Sequence, residues 1–205
     1  MELKLKIGIT GQSGFVGSHL YNTLGLFPDN YERISFDDDY FDAKIKLQEF
    51  VQSCDVIIHL AAINRSQDQH MLYEMNLRLV NQLIDACEQT KSSPHILFSS
   101  SIQENRQNDY GRSKKEGREK FEQWARKNKS NFTGLVIPNV FGPFGRPHYN
   151  SVVATFCHQL SHGEIPHIET DGELELIYVG QLISEVLTII NKKSLSKDQP
   201  SQEFV

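Results

Sequence analysis

This chain has few cysteines, no long apolar run and no excess of positive charge. Each of these absences excludes a class of protein. Only three cysteines, Cys54, Cys87 and Cys157, occur in 205 residues, and they are far apart and odd in number. A disulfide framework is therefore excluded, and a reducing compartment is expected. Because each cysteine lies in an apolar stretch, we expect three buried free thiols.

No apolar run approaches the ~20 residues that a membrane-spanning helix requires. The first ten residues lead directly into a strand pattern, so we expect no signal peptide, no membrane partner and a cytoplasmic location. The formal net charge is −5 with acids and bases interspersed, which argues against binding to nucleic acid. With 39% hydrophobic and 23% charged residues, the composition is ordinary for a globular protein with a sizeable core.

Eight histidines raise the question of a metal site. Only His158 and His162 have a tight ligand spacing on one predicted helix, and no acidic or cysteine partner lies at a suitable spacing. We therefore expect no metal.

Apolar runs alternate with segments of helical spacing, which is typical of βαβ units around a parallel sheet. Strands are predicted at Leu5–Thr10 and at residues 55–60, where an uninterrupted apolar run indicates a strand buried on both faces. Long helices are predicted at residues 69–89 and 110–127. The fold class is therefore α/β, a Rossmann-like doubly wound parallel sheet.

The pattern becomes looser after Pro147. We expect an NAD(P)-binding Rossmann domain over residues 1–145 and a small C-terminal substrate-binding lobe over residues 146–205.

A glycine-rich turn follows the first predicted strand and precedes a predicted helix. Gly11 allows the tight turn, Gly14 lets a pyrophosphate approach the backbone, and Gly17 lets the helix pack against the sheet. The helix N-terminus then presents free N–H groups to the phosphates. In this strand–turn–helix context the turn predicts a dinucleotide site, formed by Gly11, Ser13, Gly14, Phe15, Val16 and Gly17.

Asp37 lies at the end of the second predicted strand, about 20 residues beyond the glycines, where dinucleotide-binding proteins carry an acid. A carboxylate there accepts hydrogen bonds from the ribose hydroxyls of NAD and repels the 2′-phosphate of NADP. Asp38 and Asp39 follow, so a solvated acidic loop is the competing interpretation.

Tyr110 and Lys114 are spaced i, i+4 and therefore lie on one face of a helix. A neighbouring ammonium lowers the pKa of a tyrosine from its usual value of about 10, which suits the phenol to proton transfer. The helix follows a strand that ends in three serines, residues 99–101, on the side of the sheet where this architecture binds ligands. A serine hydroxyl there can polarise a carbonyl.

The chain resembles the extended short-chain dehydrogenase/reductase family, which comprises nucleotide-sugar epimerases, dehydratases and reductases. The resemblance is carried by Thr10-Gly11-Gln12-Ser13-Gly14-Phe15-Val16-Gly17, His59-Leu60-Ala61-Ala62, Ser99-Ser100-Ser101 and Tyr110-Gly111-Arg112-Ser113-Lys114. It implies that Ser101, Tyr110 and Lys114 are catalytic, with Ser100 as the alternative serine. It also implies cofactor contacts from Leu60, Ala61, Ala62, Tyr110 and Lys114, and a structural role for Asn76.

Within this family, the chain looks closest to the capsular-polysaccharide reductases of the UDP-N-acetyl-L-fucosamine pathway, which reduce a 4-keto group with NADPH. Four stretches carry this likeness: Ala62-Ile63-Asn64-Arg65, Ser99-Ser100-Ser101-Ile102-Gln103, Pro138-Asn139-Val140-Phe141-Gly142 and the segment from His148 to Cys157. Only eight residues separate Ser101 from Tyr110, fewer than in typical epimerases of the family. Ile102 and Gln103 stand where the 4,6-dehydratases carry Asp and Glu, so dehydration is disfavoured.

The chain also departs from these relatives. It lacks their C-terminal cupin domain, so we expect no cupin-catalysed epimerisation, and the small lobe is expected to be incomplete. Tyr178-Val179-Gly180-Gln181 lacks the acidic residues that the family usually has after its Tyr-Val. By resemblance, we expect a homodimer.

Several polar residues around the predicted lobe are candidates to bind a sugar or a diphosphate, with loop capping as the alternative role. The predicted substrate-binding residues are Asn64, Arg65, Asn139, His148, Tyr149 and Asn150.

The leading functional hypothesis is a reductase of a UDP-linked 4-keto-6-deoxy amino sugar, in surface polysaccharide precursor synthesis. Its cofactor is NADP or NAD, because Asp37 favours NAD and the resemblance favours NADPH. The alternatives are a nucleotide-sugar 4-epimerase that re-uses its cofactor and a non-catalytic dinucleotide-binding regulator.

Overall fold

Helices and strands alternate along the chain, as the apolar pattern predicts. The computed structural model describes residues 3–149, 151–168, 171–194 and 202–204. The strands are β1 (Leu5–Thr10), β2 (Tyr31–Ile34), β3 (Val56–His59), β4 (His95–Ser101), β5 (Phe132–Ile137), β6 (Asn139–Phe141), β7 (Leu176–Tyr178) and β8 (Gln202–Phe204). The helices are α1 (Phe15–Gly25), α2 (Lys44–Ser53), α3 (Gln69–Thr90), α4 (Asp109–Asn128), α5 (Val152–Ser161) and α6 (Val179–Ser194). Short 3-10 turns span Asp38–Phe41 and Ile102–Asn105.

Six strands form one parallel sheet in the order β2-β1-β3-β4-β5-β8. The order reverses beside β1, because the chain first moves outward to β2 and then crosses to β3. Ligands bind at such a reversal, outside the carboxyl ends of the strands. The Rossmann-like α/β fold is therefore confirmed.

Each face of the sheet is covered by its own apolar core. Phe98 on one face packs with Phe50 of α2, Leu83 of α3 and Phe121 of α4. The other face packs Leu97 against helices α1 and α6. Burial on both faces explains why the central strands read as continuous apolar runs rather than as alternating ones.

Helix α4 has one apolar and one charged face. Phe121 and Trp124 on its apolar side are buried in the core. On the exposed side, Lys120 pairs with Glu116 at 3.7 Å, and Arg126 pairs with Glu122. Both pairs have the i, i+4 spacing that stabilises a solvent-exposed helix face.

The C-terminal part of the chain does not stay apart from the main sheet. Strands β6 and β7 pair in a small second sheet, but α6 buries Leu182, Val186 and Ile190 in the core beneath α1. Strand β8 then pairs in parallel with β5. The domain boundary near residue 145 stays a prediction, with α6 and β8 lying against the Rossmann sheet. In the part of the chain that the structure describes, no helix is both long and apolar enough to cross a membrane.

Two of the three cysteines are buried free thiols, as expected, whereas Cys157 is exposed. The prediction was wrong for Cys157 because α5, although apolar in sequence, has no fully buried residue. Burial raises the pKa values of Cys54 and Cys87 to about 12. Above pH 9, where an unfolded thiol ionises, these cysteines therefore favour unfolding.

Thiol labelling follows from this difference in exposure. In the native protein near neutral pH, a thiol reagent should modify Cys157 quickly and leave Cys54 and Cys87 unmodified, because buried thiols with raised pKa values carry almost no thiolate. Mass spectrometry of the labelled peptides measures this directly. Denaturant should expose the other two, and rapid native labelling of Cys54 or Cys87 would contradict the packing of α2 and α3.

Candidate active site

One cavity of ≈ 700 Å³ opens at the carboxyl ends of the central strands. It joins the glycine turn after β1, the loop after β3, the serines that end β4 and the first turns of α4. The predicted residues that line it are Gly11, Gly14, Phe15, Val16, Gly17, Leu60, Ala62, Asn64, Arg65, Ser100, Ser101, Tyr110, Lys114, Asn139 and Tyr149. Residues far apart in sequence are thus brought to one site.

The glycine turn has the backbone that its sequence predicts. Gly11 has φ +70°, in the left-handed region that favours glycine. A Cβ on Gly17 would lie 2.2 Å from the Gly11 carbonyl oxygen, so only glycine allows α1 to start this close to the turn. A Cβ on Gly14 would meet only that same oxygen, at 3.2 Å, so Gly14 leaves its backbone open. Ser13 is exposed and does not line the cavity.

Hydrogen bonds to Thr10 of β1 and Asn76 of α3 hold the loop after β3 in place. The Thr10 hydroxyl lies 2.7 Å from Nδ1 of the buried His59 and accepts a hydrogen bond from the Ala61 N–H at 3.3 Å. Burial, with a smaller contribution from Lys114, lowers the pKa of His59 to about 3 and keeps the ring neutral.

Asn76 ties this loop to α3 and α4. Its amide oxygen accepts from the Ile63 N–H at 2.7 Å, and its amide nitrogen donates to the Ile63 carbonyl at 2.9 Å. The same nitrogen donates to the Ser113 hydroxyl at 3.1 Å. A buried amide with three partners has the structural role that the family resemblance implied.

Tyr110 and Lys114 lie on one side of α4, facing the cavity. The Lys114 Nζ lies 5.7 Å from the centre of the Tyr110 ring and donates to the Ser99 carbonyl oxygen at 2.9 Å. Only 3% of Lys114 is exposed. The helix begins here because the Asn108 side chain caps it by accepting from the Gly111 N–H at 2.7 Å.

The sequence predicts that Lys114 lowers the pKa of Tyr110, but the structure gives a different result for both residues. Burial raises the pKa of Tyr110 to about 12, and burial lowers the pKa of Lys114 to about 8. The physical reason is that both groups lie in a poorly hydrated site, where each neutral form is favoured. At neutral pH Tyr110 is therefore protonated and able to donate.

The two candidate serines have different partners. The Ser100 hydroxyl donates to Glu104, whose carboxylate also receives the Arg118 guanidinium at 2.9 Å. The Ser101 hydroxyl accepts from the Gln103 N–H at 3.2 Å and has no carboxylate acceptor among its described contacts. Both line the cavity, and Ser101 is the better placed to donate to a ligand.

The predicted substrate residues divide into three groups. Asn64, Arg65, Asn139 and Tyr149 line the main cavity. His148 lies beside a neighbouring cavity of ≈ 420 Å³ instead. Asn150 lies outside the described residues.

Sequence reasoning missed two features of this site. Arg146 lines the cavity and lies against Tyr149, and Gln103 reaches it from the turn after β4. An amide does no acid–base work, so Gln103 draws no attention in the sequence, and Arg146 lies in a turn-rich segment between Gly142 and Pro147 that carries no motif.

Asp37 is exposed and does not line the main cavity. It precedes the 3-10 turn, where Asp39 pairs with Lys46 at 3.1 Å. The choice between NAD and NADP from this residue stays a prediction. Among the described residues, no three His, Cys, Asp or Glu side chains are grouped to hold a metal ion.

Comparison with known proteins places this geometry in a family. The model of the NAD dependent epimerase/dehydratase family matches residues 7–200. The chain belongs to this family. The resemblance to this family is therefore confirmed, whereas the roles of the individual site residues stay predictions.

A curated relative is similar over most of the chain. It is the UDP-2-acetamido-2,6-beta-L-arabino-hexul-4-ose reductase of Pseudomonas aeruginosa, 30% identical over 194 residues, which are 92% of this chain and 50% of the relative. The chain thus spans about half the length of the curated relative it matches.

Solved structures show the same fold. The capsular polysaccharide assembling protein CapF of Staphylococcus aureus is 28% identical with a TM-score of 0.74, covering 91% of this chain and 49% of CapF. RMD of Pseudomonas aeruginosa, solved with NADPH, has a TM-score of 0.82 at 18% identity, covering 98% of this chain and 77% of RMD. The second likeness concerns the fold alone.

Proposed function

We propose that the protein is an NAD(P)H-dependent reductase of a UDP-linked 4-keto-6-deoxy amino sugar, used for surface polysaccharide precursors. One observation carries the proposal: a single cavity joins the glycine turn to Ser101, Tyr110 and Lys114. The 30% identity to a UDP-sugar reductase over 92% of the chain supports this choice of substrate.

The glycine turn fits a dinucleotide pyrophosphate. Gly14 presents open backbone, and the first turn of α1 has no acidic side chain and no side-chain cap, so its N–H groups are available to phosphate oxygens. Leu60 and Ala62 would flank the dinucleotide from the loop after β3. Bound here, reduced nicotinamide supplies a hydride to the carbonyl carbon of the substrate.

Tyr110 then delivers the proton that balances the reaction. The C=O bond becomes a C–OH group when the carbon gains hydride and the oxygen takes the phenolic proton. Ser101 donates a hydrogen bond to the same oxygen as negative charge develops on it. The Lys114 ammonium stabilises the phenolate left on Tyr110 and is held in place by the Ser99 carbonyl.

The residues after Ser101 disfavour dehydration. Ile102 and Gln103 supply neither a general acid nor a general base, and the nearby Glu104 is engaged by Arg118. Reduction of a carbonyl, unlike dehydration, needs only one proton donor, and Tyr110 supplies that proton.

Two further proposals concern the organisation of the protein. By family resemblance we expect a homodimer in solution, which light scattering would measure. The looser sequence pattern after Pro147 leads us to expect a small substrate lobe beginning near residue 146.

The decisive assay offers the purified chain a UDP-linked 4-keto-6-deoxy amino sugar with NADPH or NADH. We expect stoichiometric loss of the reduced-nicotinamide absorbance and a C4 alcohol as product. Interconversion of sugars without net loss of reduced cofactor would identify a 4-epimerase instead. Cofactor binding without turnover of any keto-sugar would favour a dinucleotide-binding regulator.

The reaction should depend on pH through Lys114. Because the lowered pKa of this ammonium is about 8, its charge is present below that pH and is lost as pH rises through it. Tyr110, with a pKa of about 12, keeps its proton throughout. We expect kcat to be level below pH 8 and to fall above it by up to about tenfold per unit.

The matched variant for this profile is Lys114→Arg, because a guanidinium does not deprotonate in this range. Whatever its kcat at neutral pH, the fall above pH 8 should disappear in this variant. An unchanged fall in this variant would show that another group controls the rate.

A further inference from the structure

A buried ion pair joins the 3-10 turn after Ser101 to helix α4. Glu104 of that turn accepts two hydrogen bonds from the Arg118 guanidinium, one from Nε to Oε1 and one from Nη2 to Oε2, each at 2.9 Å. Only 8% of the Glu104 side chain and 13% of the Arg118 side chain are exposed. Two parallel N–H donors fix the orientation of the carboxylate, and both charges are largely removed from water.

Neither charge takes part in the chemistry proposed above. Glu104 and Arg118 are not among the residues that line the main cavity. A buried ion pair is by itself weak evidence for stability, because the cost of removing two charges from water can exceed their attraction. What this pair holds in place is therefore the more informative question.

Arg118 continues the line of site residues along α4. Tyr110, Lys114 and Arg118 are spaced at i, i+4 and i+8, so they lie on one side of the helix. A Cβ on Gly134 of β5 would lie 2.6 Å from Arg118 Cδ, so the stem of the arginine packs against the sheet. The guanidinium therefore reaches Glu104 from a fixed place on α4.

Glu104 acts on the end of β4 through Ser100. The Ser100 hydroxyl donates to the Glu104 carboxylate, and because a serine hydroxyl has one proton, this bond occupies the donor of that side chain. The Ser101 hydroxyl instead accepts from the Gln103 N–H at 3.2 Å, which uses a lone pair and leaves its proton available. Both serines line the cavity, so Glu104 decides which of the two can donate to a ligand.

The connection from Ser101 to Tyr110 is short and tightly packed. Only eight residues lie between them. The Gln103 carbonyl packs so closely against Gly111 that a Cβ at that position would overlap with it. A displacement of the turn that bears Glu104 would therefore move the serine relative to the tyrosine.

We infer that Glu104, oriented by Arg118, is a positioning residue for carbonyl reduction. It takes the proton of Ser100, holds the turn against α4 and so leaves Ser101 as the serine donor, at a fixed place relative to Tyr110. The inference rests on the proposed function for its effect on catalysis, whereas the ordering of the turn does not depend on any substrate.

Two double variants test the inference with both charges removed, so that no buried charge is left unpaired. Glu104→Gln with Arg118→Met, the acceptor variant, keeps an amide oxygen that can accept from Ser100. Glu104→Met with Arg118→Met, the acceptor-free variant, has a side chain of similar length without that oxygen. The matched control is Glu88→Gln with Lys127→Met, which removes an exposed ion pair between α3 and α4. Melting temperatures check that all three fold.

Hydrogen exchange followed by mass spectrometry reports on the turn without any turnover. In the acceptor-free variant, the amides of Ile102–Asn105 should exchange roughly tenfold faster than in the unmodified chain, because local order is lost, while the rest of α4 is unchanged. The acceptor variant should lie closer to the unmodified chain, and the control should match it.

Reduction of the keto-sugar gives the second readout. In the acceptor-free variant kcat should fall by roughly ten- to hundredfold, because a small displacement of a catalytic group is enough for a loss of this size. The KM and the dinucleotide affinity should change little, and the acceptor variant should recover part of the lost kcat. When the acceptor-free changes are added to Ser101→Ala, kcat should fall little further, because a residue that acts through Ser101 then has nothing to position.

Unchanged exchange in the acceptor-free variant would overturn the inference. So would equal kcat in the two double variants, or the same fold loss of kcat with and without Ser101, which would indicate a general structural role. If the unmodified chain reduces no keto-sugar, the proposed function fails, and the exchange measurement still decides whether Glu104 orders the turn.

Discussion

Tyr110→Phe is expected to lower kcat by about 10²–10⁴-fold while leaving dinucleotide affinity nearly unchanged. The change removes only the phenolic hydroxyl, and the ring that lines the cavity keeps its volume. Burial holds the pKa of this phenol at about 12, so it is the protonated group at neutral pH and the natural donor to a developing alkoxide. Stopped-flow turnover and calorimetric titration with NADPH or NADH measure the two quantities.

Tyr73→Phe is the matched control for this substitution. The Tyr73 hydroxyl donates to Glu116 between α3 and α4, away from the cavity, so its removal should leave kcat unchanged. Full activity of Tyr110→Phe would remove Tyr110 from the mechanism. Equal losses in the two variants would point to damage to the helix pair rather than to chemistry.

Gly17→Ala is expected to cost about 10²-fold in kcat/KM and to lower the melting temperature. The new Cβ would lie 2.2 Å from the Gly11 carbonyl oxygen and 2.8 Å from Gln12 Cα, so backbone must move. Relief of that overlap requires a displacement on the order of 1 Å, enough for a loss of this size. The strain itself should destabilise the fold by about 1–3 kcal/mol.

Gly14→Ala separates binding from folding. Its Cβ would meet only the Gly11 carbonyl oxygen, at 3.2 Å, so the fold should be retained while dinucleotide binding weakens. Gly172→Ala, with nothing within 4 Å of its Cβ, is the neutral control. Melting curves measure the stability of the three variants, and dinucleotide titrations measure their cofactor affinity. A Gly17→Ala protein with normal stability and normal cofactor affinity would contradict the geometry of the turn.

The sequence predicted the sheet well, and local physics explains why. The apolar run at residues 55–60 indicated a strand buried on both faces, and Val56–His59 are indeed all buried. Gly11 and Gly17 are required by close backbone contacts, and Gly14 keeps the backbone of the turn open. Spacing alone also placed Tyr110 and Lys114 on one face of α4. These features depend on residues that are near in the chain.

Features that depend on distant contacts were harder to predict. The lysine contact with the Ser99 carbonyl, and the raised pKa of Tyr110, follow from how deeply β4 and α4 bury one another. Arg146 lines the cavity only because the loop after β6 folds back over it, so that Tyr149 lies near both Arg146 and Arg65. The exposure of Cys157 likewise depends on tertiary packing, because none of the residues of α5 is fully buried. The spacing of apolar residues in the sequence does not indicate such long-range contacts.

Isotope transfer tests the proposed reductase activity most directly. The chain is supplied with a UDP-linked 4-keto-6-deoxy amino sugar and with NADPH or NADH deuterated at the hydride position. One deuterium should appear at C4 of the sugar for each dinucleotide oxidised, and Tyr110→Phe should suppress this transfer. Oxidation of the dinucleotide without deuterium at C4, or unlabelled conversion of the sugar, would contradict direct hydride transfer in this cavity.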